Sequence, residues 1–436
     1  MTGPLRGWRQ NLLAGFWLLP GLVAAAFAGL AFGVLAIDRA AGPRGVAFGF
    51  DGDAGAARDI LATIAGSLIT VAGLTFSLTI VVLTLISSQF TPRALRGFLA
   101  DRLTQVVAGV FVGIFVYCLL VLRRVRDEGA GDPFVPGLSV TVAIGLGLLT
   151  LAFLLAFIHH MGQTIQASHI AARVASTTNA AIDRVYPERY DPTREQSQTG
   201  ILDSWLEDGE PARVTPARSG HVQLIDVAAL VDHAPAGARL HVAVRPGEFV
   251  TESDTLVRIW PADALEAVRT TARRAITIQN ERDLREDPAF GLRQLTDIAL
   301  KALSPGINDP TTAVTCIGYL RAALERLAGR ALQPSLHRSR SGAVAVVEGR
   351  SFEEEVESVF GEIGRYASDN ARVVVALLAA LRSIGEAARS AGARVRLPIL
   401  VELAEAVTAP AIEAAVATRD RELLKHEMER VRAELS

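Results

Sequence analysis

The sequence predicts an α-helical membrane protein with four transmembrane helices. A C-terminal soluble α+β region follows, a small β module and then a mainly helical domain. Three observations carry this. Half of the 436 residues are hydrophobic, yet nearly all the long apolar runs fall within the first 160. Those runs hold no Asp, Glu, Lys, Arg or His in their interiors. Beyond them the chain takes on the charge content and the alternating periods, about 2 and 3.6 residues, of a soluble fold. The expected organisation is a membrane domain over 1–160 and a helical stalk and linker over 161–210. A β module over 211–260 and a cytosolic helical domain over 261–436 complete it.

The first span is read over Leu12 to Ile37, behind Arg6 and Arg9. It is too long for a signal-peptide core and no A-x-A cleavage site follows, so it is read as a retained anchor. The second runs from Ile60 to Phe90, the third from Leu103 to Leu122 and the fourth from Leu138 to Ile158. A bilayer core of about 30 Å needs only about 20 helical residues, so the second span is long enough to tilt or protrude. Thr91-Pro92 ends it, and Arg93, Arg96 and Arg102 form a short basic anchor at the headgroups. Basic residues tie between the two sides. The first span's basic N-terminal flank and Asp38 on its other flank place the N-terminus inside. An even number of spans then leaves the C-terminal region cytoplasmic. In the loop between the first two spans, Asp51 and Asp53 read as solvated rather than as a Ca²⁺ loop, which needs a Glu further along.

Span two carries an unusual amount of hydroxyl. Steps of four and three give Thr63, Ser67, Thr70, Leu74, Ser77, Val81, Thr84 and Ser88 on one helical face. One reading is a hydroxyl-lined pore in which Leu74 and Val81 form apolar, dewetting rings. The other is close helix packing, for which small and hydroxylated residues are suited. The absence of ionisable groups in the spans favours a passive pathway over a proton-coupled carrier.

Composition excludes several classes. A net charge of −2 with no basic stripe gives no case for nucleic acid. Cys118 and Cys316 form neither a disulfide framework nor a metal site. His159, His160 and His169 read as interfacial residues at a membrane exit, with no acidic partner in register. No nucleophile elbow, P-loop, G-x-G-x-x-G, HExxH or CxxC is present, so no enzyme, cofactor or metal is expected.

After the fourth span the helix is read as continuing through Ser168 to Val185 as a stalk. Strands are expected at His221 to Ile225, Arg239 to Val244 and Thr255 to Ile259, with a short helix over Asp226 to His233. Ser219-Gly220, Arg245-Pro246-Gly247-Glu248-Phe249-Val250 and Leu256 to Ile259 resemble half of a biotinyl/lipoyl-type sandwich. That carrier needs a lysine at a hairpin tip, and none precedes Lys301, so covalent biotin or lipoate attachment is excluded.

Helices are expected over Ala262 to Glu281, from Asp287-Pro288 to Leu303, and over Thr311 to Leu327. A strand follows at Ala343 to Val347. Ser351 and Glu354 make a capping box for a helix reaching Tyr366. The last helices are read at Ala371 to Ser390, Pro398 to Val407 and Ala411 to Leu435, with Leu424, Met428, Val431 and Leu435 as a packing or oligomer face.

The peptide from Ala299 to Ala313, with Ser304-Pro305-Gly306-Ile307-Asn308-Asp309-Pro310 at its centre, resembles the signature of a family of bacterial predicted membrane proteins. Ser77 to Arg93 and Ser219 to Val250 resemble it too. The resemblance implies a multi-span membrane protein with a cytosolic domain, and supplies no catalytic residues; the bacterial inner membrane is the expected location. Read physically, Gln294, Asp297 and Lys301 share a helical face, with Asp297 and Lys301 an i,i+4 pair. Ser304, Asn308, Asp309, Thr311 and Thr312 surround the next helix N-terminus, whose free N–H groups suit an anion. The alternative is a tight helix–loop–helix in which Asn308 or Asp309 caps its own helix.

Two functions follow as expectations. The first is a homo-oligomeric channel or passive transport protein lined by span two. The second is a membrane-anchored sensor or scaffold whose cytosolic domain binds a small anionic ligand or a protein partner.

Overall fold

The computed structural model describes residues 18–41, 48–89, 102–126, 134–164, 167–191, 201–207, 209–284, 286–332 and 335–435. The chain divides into two compact units, Met1–Gln166 and Ala167–Ser436.

Among the described residues of the first unit, four helices are long and apolar enough to cross a membrane: α1 (Leu18–Ala41), α2 (Ala54–Gln89), α3 (Arg102–Leu122) and α4 (Gly137–Thr164). Expected Leu12 to Trp17, Phe90 and the basic segment with Arg93 and Arg96 lie outside the described residues. Helix α2 starts six residues before the expected Ile60 because Asp53 caps it, accepting from Ala56 N–H at 2.7 Å. That is the role the structure gives the Asp51/Asp53 pair's second member. Half of the apolar window of α3 is buried, against 22%, 22% and 17% for α1, α2 and α4, so α3 is the centre of this unit. Its glycines allow the approach: a Cβ on Gly109 would come within 2.8 Å of Pro20 Cα on α1.

One polar device holds an end of these helices. Asp38, buried near the end of α1, accepts from Leu138 N–H and Ser139 N–H at 2.9 Å and from Ser139 Oγ–H at 2.6 Å. A carboxylate from one helix thus caps the N-terminus of another. Tyr117 of α3 donates to Ser139 C=O at 3.0 Å, completing the cluster.

The second unit begins with α5 (Ala167–Val185), and here the expected stalk is corrected. Helix α5 packs on α9 (Pro288–Ala302) and α10 (Pro310–Ala328), burying Ala171, Ala175 and Ile182. The packed face is made mostly of alanines, with Val174 and Ile182, a pattern that reads equally well as an exposed helix. A short α6 (Ile201–Glu207) precedes the sheets.

Among the described residues, eight strands form two sheets over one hydrophobic core. The larger has the order β1 (Ala212–Val214), β5 (Val257–Trp260), β3 (Arg239–Val242), β8 (Val344–Val347), β7 (Ser335–Arg338), with β3 and β8 parallel. The smaller is β4 (Phe249–Val250), β2 (Gly220–Ile225), β6 (Ile276–Gln279). The module therefore does not close at residue 260: it recruits two strands from beyond residue 330. The helix expected over Ala262 to Glu281 is also corrected. Helix α8 covers only Leu265–Ala275, and Ile276-Thr277-Ile278 continues as β6, pairing with β2. Those β-branched residues fill the free edge of β2, a pairing local propensity does not reveal. The short helix α7 (Val227–Asp232) is capped by Asp226 as expected.

Helices α9 and α10 each open on the expected Asp-Pro pair, Asp287-Pro288 and Asp309-Pro310. The Ser351–Glu354 capping box opens α11 (Phe352–Val356). A π turn over Glu357–Gly361 then leads into α12 (Glu362–Tyr366). Helix α13 spans Ala371–Ser390 and α14 spans Leu397–Ala414, running through Pro410 instead of ending near Val407. Helix α15 is Thr418–Leu435 and buries Leu424, Met428, Val431 and Leu435 against α13 and α14. The face read as packing or oligomer surface is therefore intramolecular core. Arg396, 2% exposed, donates to the carbonyls of Leu327, Ala328 and Arg330 at 2.9–3.1 Å and closes the C-terminus of α10.

Candidate functional site

The first candidate surface is the hydroxyl face of α2. Thr63, Ser67, Thr70, Leu74, Ser77, Val81 and Thr84 are all exposed, turned away from the other described helices. Leu74 is 62% and Val81 51% exposed, so the two apolar interruptions stand as far out as the hydroxyls. The side chain of Ser88 lies outside the described residues. The buried face is a different one: Leu61, Ala65, Leu68, Thr75, Thr79 and Val82. Ser67 Oγ–H donates to Thr63 C=O at 2.8 Å, Thr70 to Gly66 C=O at 3.2 Å and Thr84 to Ile80 C=O at 2.9 Å. Each of these hydroxyls is satisfied by its own helix, which lets the face meet lipid, another helix or water at little cost.

The second candidate is the signature loop, and its geometry is that of a cap. Asp309 accepts from Thr311 N–H and Thr312 N–H at 3.1 Å and from Thr312 Oγ1–H at 2.5 Å. The hydroxyl and amide bonds from Thr312, with that from Thr311, hold the Asp309 carboxyl below its ordinary range. The N–H groups that would take an anion are thus occupied by the chain's own carboxylate. Asn308 adopts φ 47°, in the left-handed region, so that Asp309 N–H reaches Ala302 C=O at 2.8 Å. Ser304 Oγ–H donates to Lys301 C=O at 2.6 Å. The expected Asp297–Lys301 pair gives way to Asp297–Arg293 at 2.7 Å, and Arg293 also bonds Glu362 at 2.8 Å. Lys301 is exposed and Gln294 is buried, so the three residues read as one face do not act together.

The third candidate was not anticipated. The turn after β3 brings Arg245 against α11, the π turn and α12, forming an open cleft of about 420 Å³. Glu354, Glu357, Ser358 and Glu362 line it at helical spacing, together with Arg350 and Arg365. Arg245 is committed to Glu354 at 3.0 Å, and Glu362 to Arg293. Arg350 faces Glu355 Oε1 at 3.7 Å, beyond hydrogen-bonding distance. The Glu355 side chain is 4% exposed, and its Oε2 has no hydrogen-bond partner.

Behind these residues lies a buried polar layer. Asp287 caps α9 through Phe290 N–H at 3.0 Å and is clamped by Arg282 at 2.7 Å. Burial raises its carboxyl, and Arg282 opposes that. Burial pushes the Glu355 carboxyl up to about 7; Arg350 opposes the rise while Asp287 and Glu354 add to it. The Tyr186 phenol is raised by burial and by the charges of Glu355 and Asp287. Gly247 permits this layer: its φ is +87°, and a Cβ there would collide with Asp287 Oδ2. Alongside, Arg258 donates to His241 Nδ1 at 2.9 Å, leaving Nε2 to face Glu348 at 3.0 Å. The available sequence signals were the capping box and a glutamate on its buried side, and neither predicts a cleft.

The family model described as predicted membrane protein (DUF2254) matches residues 14–383. The chain belongs to this family. Similar proteins include uncharacterized proteins of Mycobacterium tuberculosis (strains CDC 1551 / Oshkosh and H37Rv) and Mycobacterium bovis. Each is 33% identical over 347 residues, which is 77% of this chain and 65% of the relative. The chain thus spans just under two thirds of the length of these relatives. No solved structure matches it. Membership agrees with the four apolar helices and makes this a predicted membrane protein.

Proposed function

We propose that this protein is a homo-oligomeric, passive conducting protein of the bacterial inner membrane. In this reading α2 meets its counterparts around a symmetry axis and the C-terminal unit lies in the cytoplasm. The observation that carries it is the outward hydroxyl face of α2, exposed along its whole described length and broken only by Leu74 and Val81. A face bearing this many hydroxyls gains nothing from lipid but suits neighbouring helices or a wetted path. The spans lack ionisable interior residues, which favours passive flow over coupled transport. Reconstitution into planar bilayers tests it. The parent is expected to conduct, and Leu74→Ser and Val81→Ser are expected to raise open probability by wetting the apolar rings. Silence in all three proteins sinks the reading.

A second reading is a membrane-anchored sensor or scaffold. It is favoured by the cleft between Arg245 and α11–α12 and by buried Glu355, which lies beside the lining residue Arg350 with its Oε2 unpartnered. Ligand-dependent melting of the full chain across a metabolite panel is the expected sign. Unchanged melting throughout argues against it.

A further inference from the structure

We propose that the cleft bounded by Arg245, Arg350 and Arg365 binds a small oxyanion, a carboxylate or a tetrahedral phosphate-like group, and that buried Glu355 competes with that anion for Arg350. The inference deepens the sensor reading by naming the chemistry of its ligand.

The donors are the starting point. Of the three guanidinium groups lining the cleft, Arg245 is engaged by Glu354. Arg365 is exposed and is one of the residues that line the cleft. Arg350 has an ion contact with Glu355 at 3.7 Å, too long for a hydrogen bond. Of the three lining carboxylates, Glu354 and Glu362 are taken by Arg245 and Arg293, which leaves Glu357. Against that one carboxylate stand Arg350 and Arg365, an excess of guanidinium whose planar fork matches a carboxylate or phosphate oxygen pair.

Glu355 is the independent observation. A carboxylate 96% buried by side chain, with one oxygen unpartnered, is costly to keep charged. Its other oxygen lies 3.7 Å from Arg350, a lining residue of the cleft. The groups facing it are Arg350, Glu354 of its own helix, Arg282 from the loop after β6, Asp287 at the cap of α9, and Tyr186 just after α5. Near neutral pH its proton is held loosely. When Glu355 is protonated, Arg350 is released to the cleft, and an anion that takes Arg350 in turn favours the protonated carboxyl. Binding of the anion is thus coupled to uptake of one proton. If only the protonated form binds, the competent fraction falls about tenfold between pH 6 and pH 8, and apparent affinity falls with it.

The test is calorimetric titration of the full chain in detergent with sulfate and with acetate, two anions whose charge is constant from pH 6 to 8. At least one is expected to bind about tenfold more tightly at pH 6. Arg365→Ala, an exposed change, is expected to weaken binding about tenfold through loss of a charge-assisted hydrogen bond. Glu355→Gln, nearly isosteric, is expected to bind at pH 8 as the parent does at pH 6, with no pH dependence. Repetition in nanodiscs separates two sources of the same chemistry. Sulfate binding that survives in phosphatidylcholine but is lost in phosphatidylglycerol assigns the site to a lipid headgroup; survival in both assigns it to a free anion. Absence of binding by either anion, or binding indifferent to both substitutions, overturns the proposal. If both anions fail while a metabolite panel still shifts melting, the oxyanion inference falls and the sensor reading stands.

Discussion

Glu355 makes a prediction about stability that needs no ligand. Its carboxyl ordinarily titrates near 4.5, and burial moves it up to about 7 in the folded protein. Between those values the folded chain holds a proton that the unfolded chain has released. Stability is therefore fully present below pH 4.5, falls as pH rises toward 7, and levels off above it. The difference corresponds to about 3 kcal/mol, and with the side chain only 4% exposed no discount for solvent screening applies. Glu355→Gln keeps the shape and removes the titration. At pH 4 the variant should melt with the parent. At pH 8 it should be more stable by up to about 3 kcal/mol, or about 6 °C for a unit of this size. Tryptophan fluorescence reads the transition, since Trp205 and Trp260 pack 5.9 Å apart in the same unit. Melting curves of parent and variant that stay parallel from pH 4 to pH 8 would refute the reasoning. That result would mean the carboxylate is solvated or paired in a way that cancels its burial.

Two further outcomes follow from the packing. Asp38→Ala removes three hydrogen bonds to a charged acceptor at the start of α4. It should cost about 2–3 kcal/mol in detergent unfolding monitored by circular dichroism, while Asp38→Asn, which keeps an acceptor oxygen, should lose less. Arg396→Lys keeps the charge but cannot reach the carbonyls of Leu327, Ala328 and Arg330 together. It should lower the melting temperature of the C-terminal unit by an amount corresponding to about 2–4 kcal/mol; an unchanged melt would show that the cap of α10 is dispensable.

By itself the sequence determined the features that depend on local pattern. Four uncharged apolar runs specify spanning helices because an unsatisfied backbone has no other solution in lipid. Asp287-Pro288, Asp309-Pro310 and Ser351 with Glu354 specify helix starts, because caps are made within a few residues. The hydroxyl face of α2 was legible from 3.6-residue periodicity alone. What periodicity does not carry is which face a helix turns to its neighbours. Only tertiary packing set the α2 stripe outward, made α3 the centre of its unit, and turned the expected stalk into a packed helix. The same limit hid β6 and the recruitment of β7 and β8, since a strand exists only where an edge is free to receive it. It also hid the cleft. Arg245 and Glu354 are 109 residues apart, and the burial that shifts Glu355 is a property of everything folded around it.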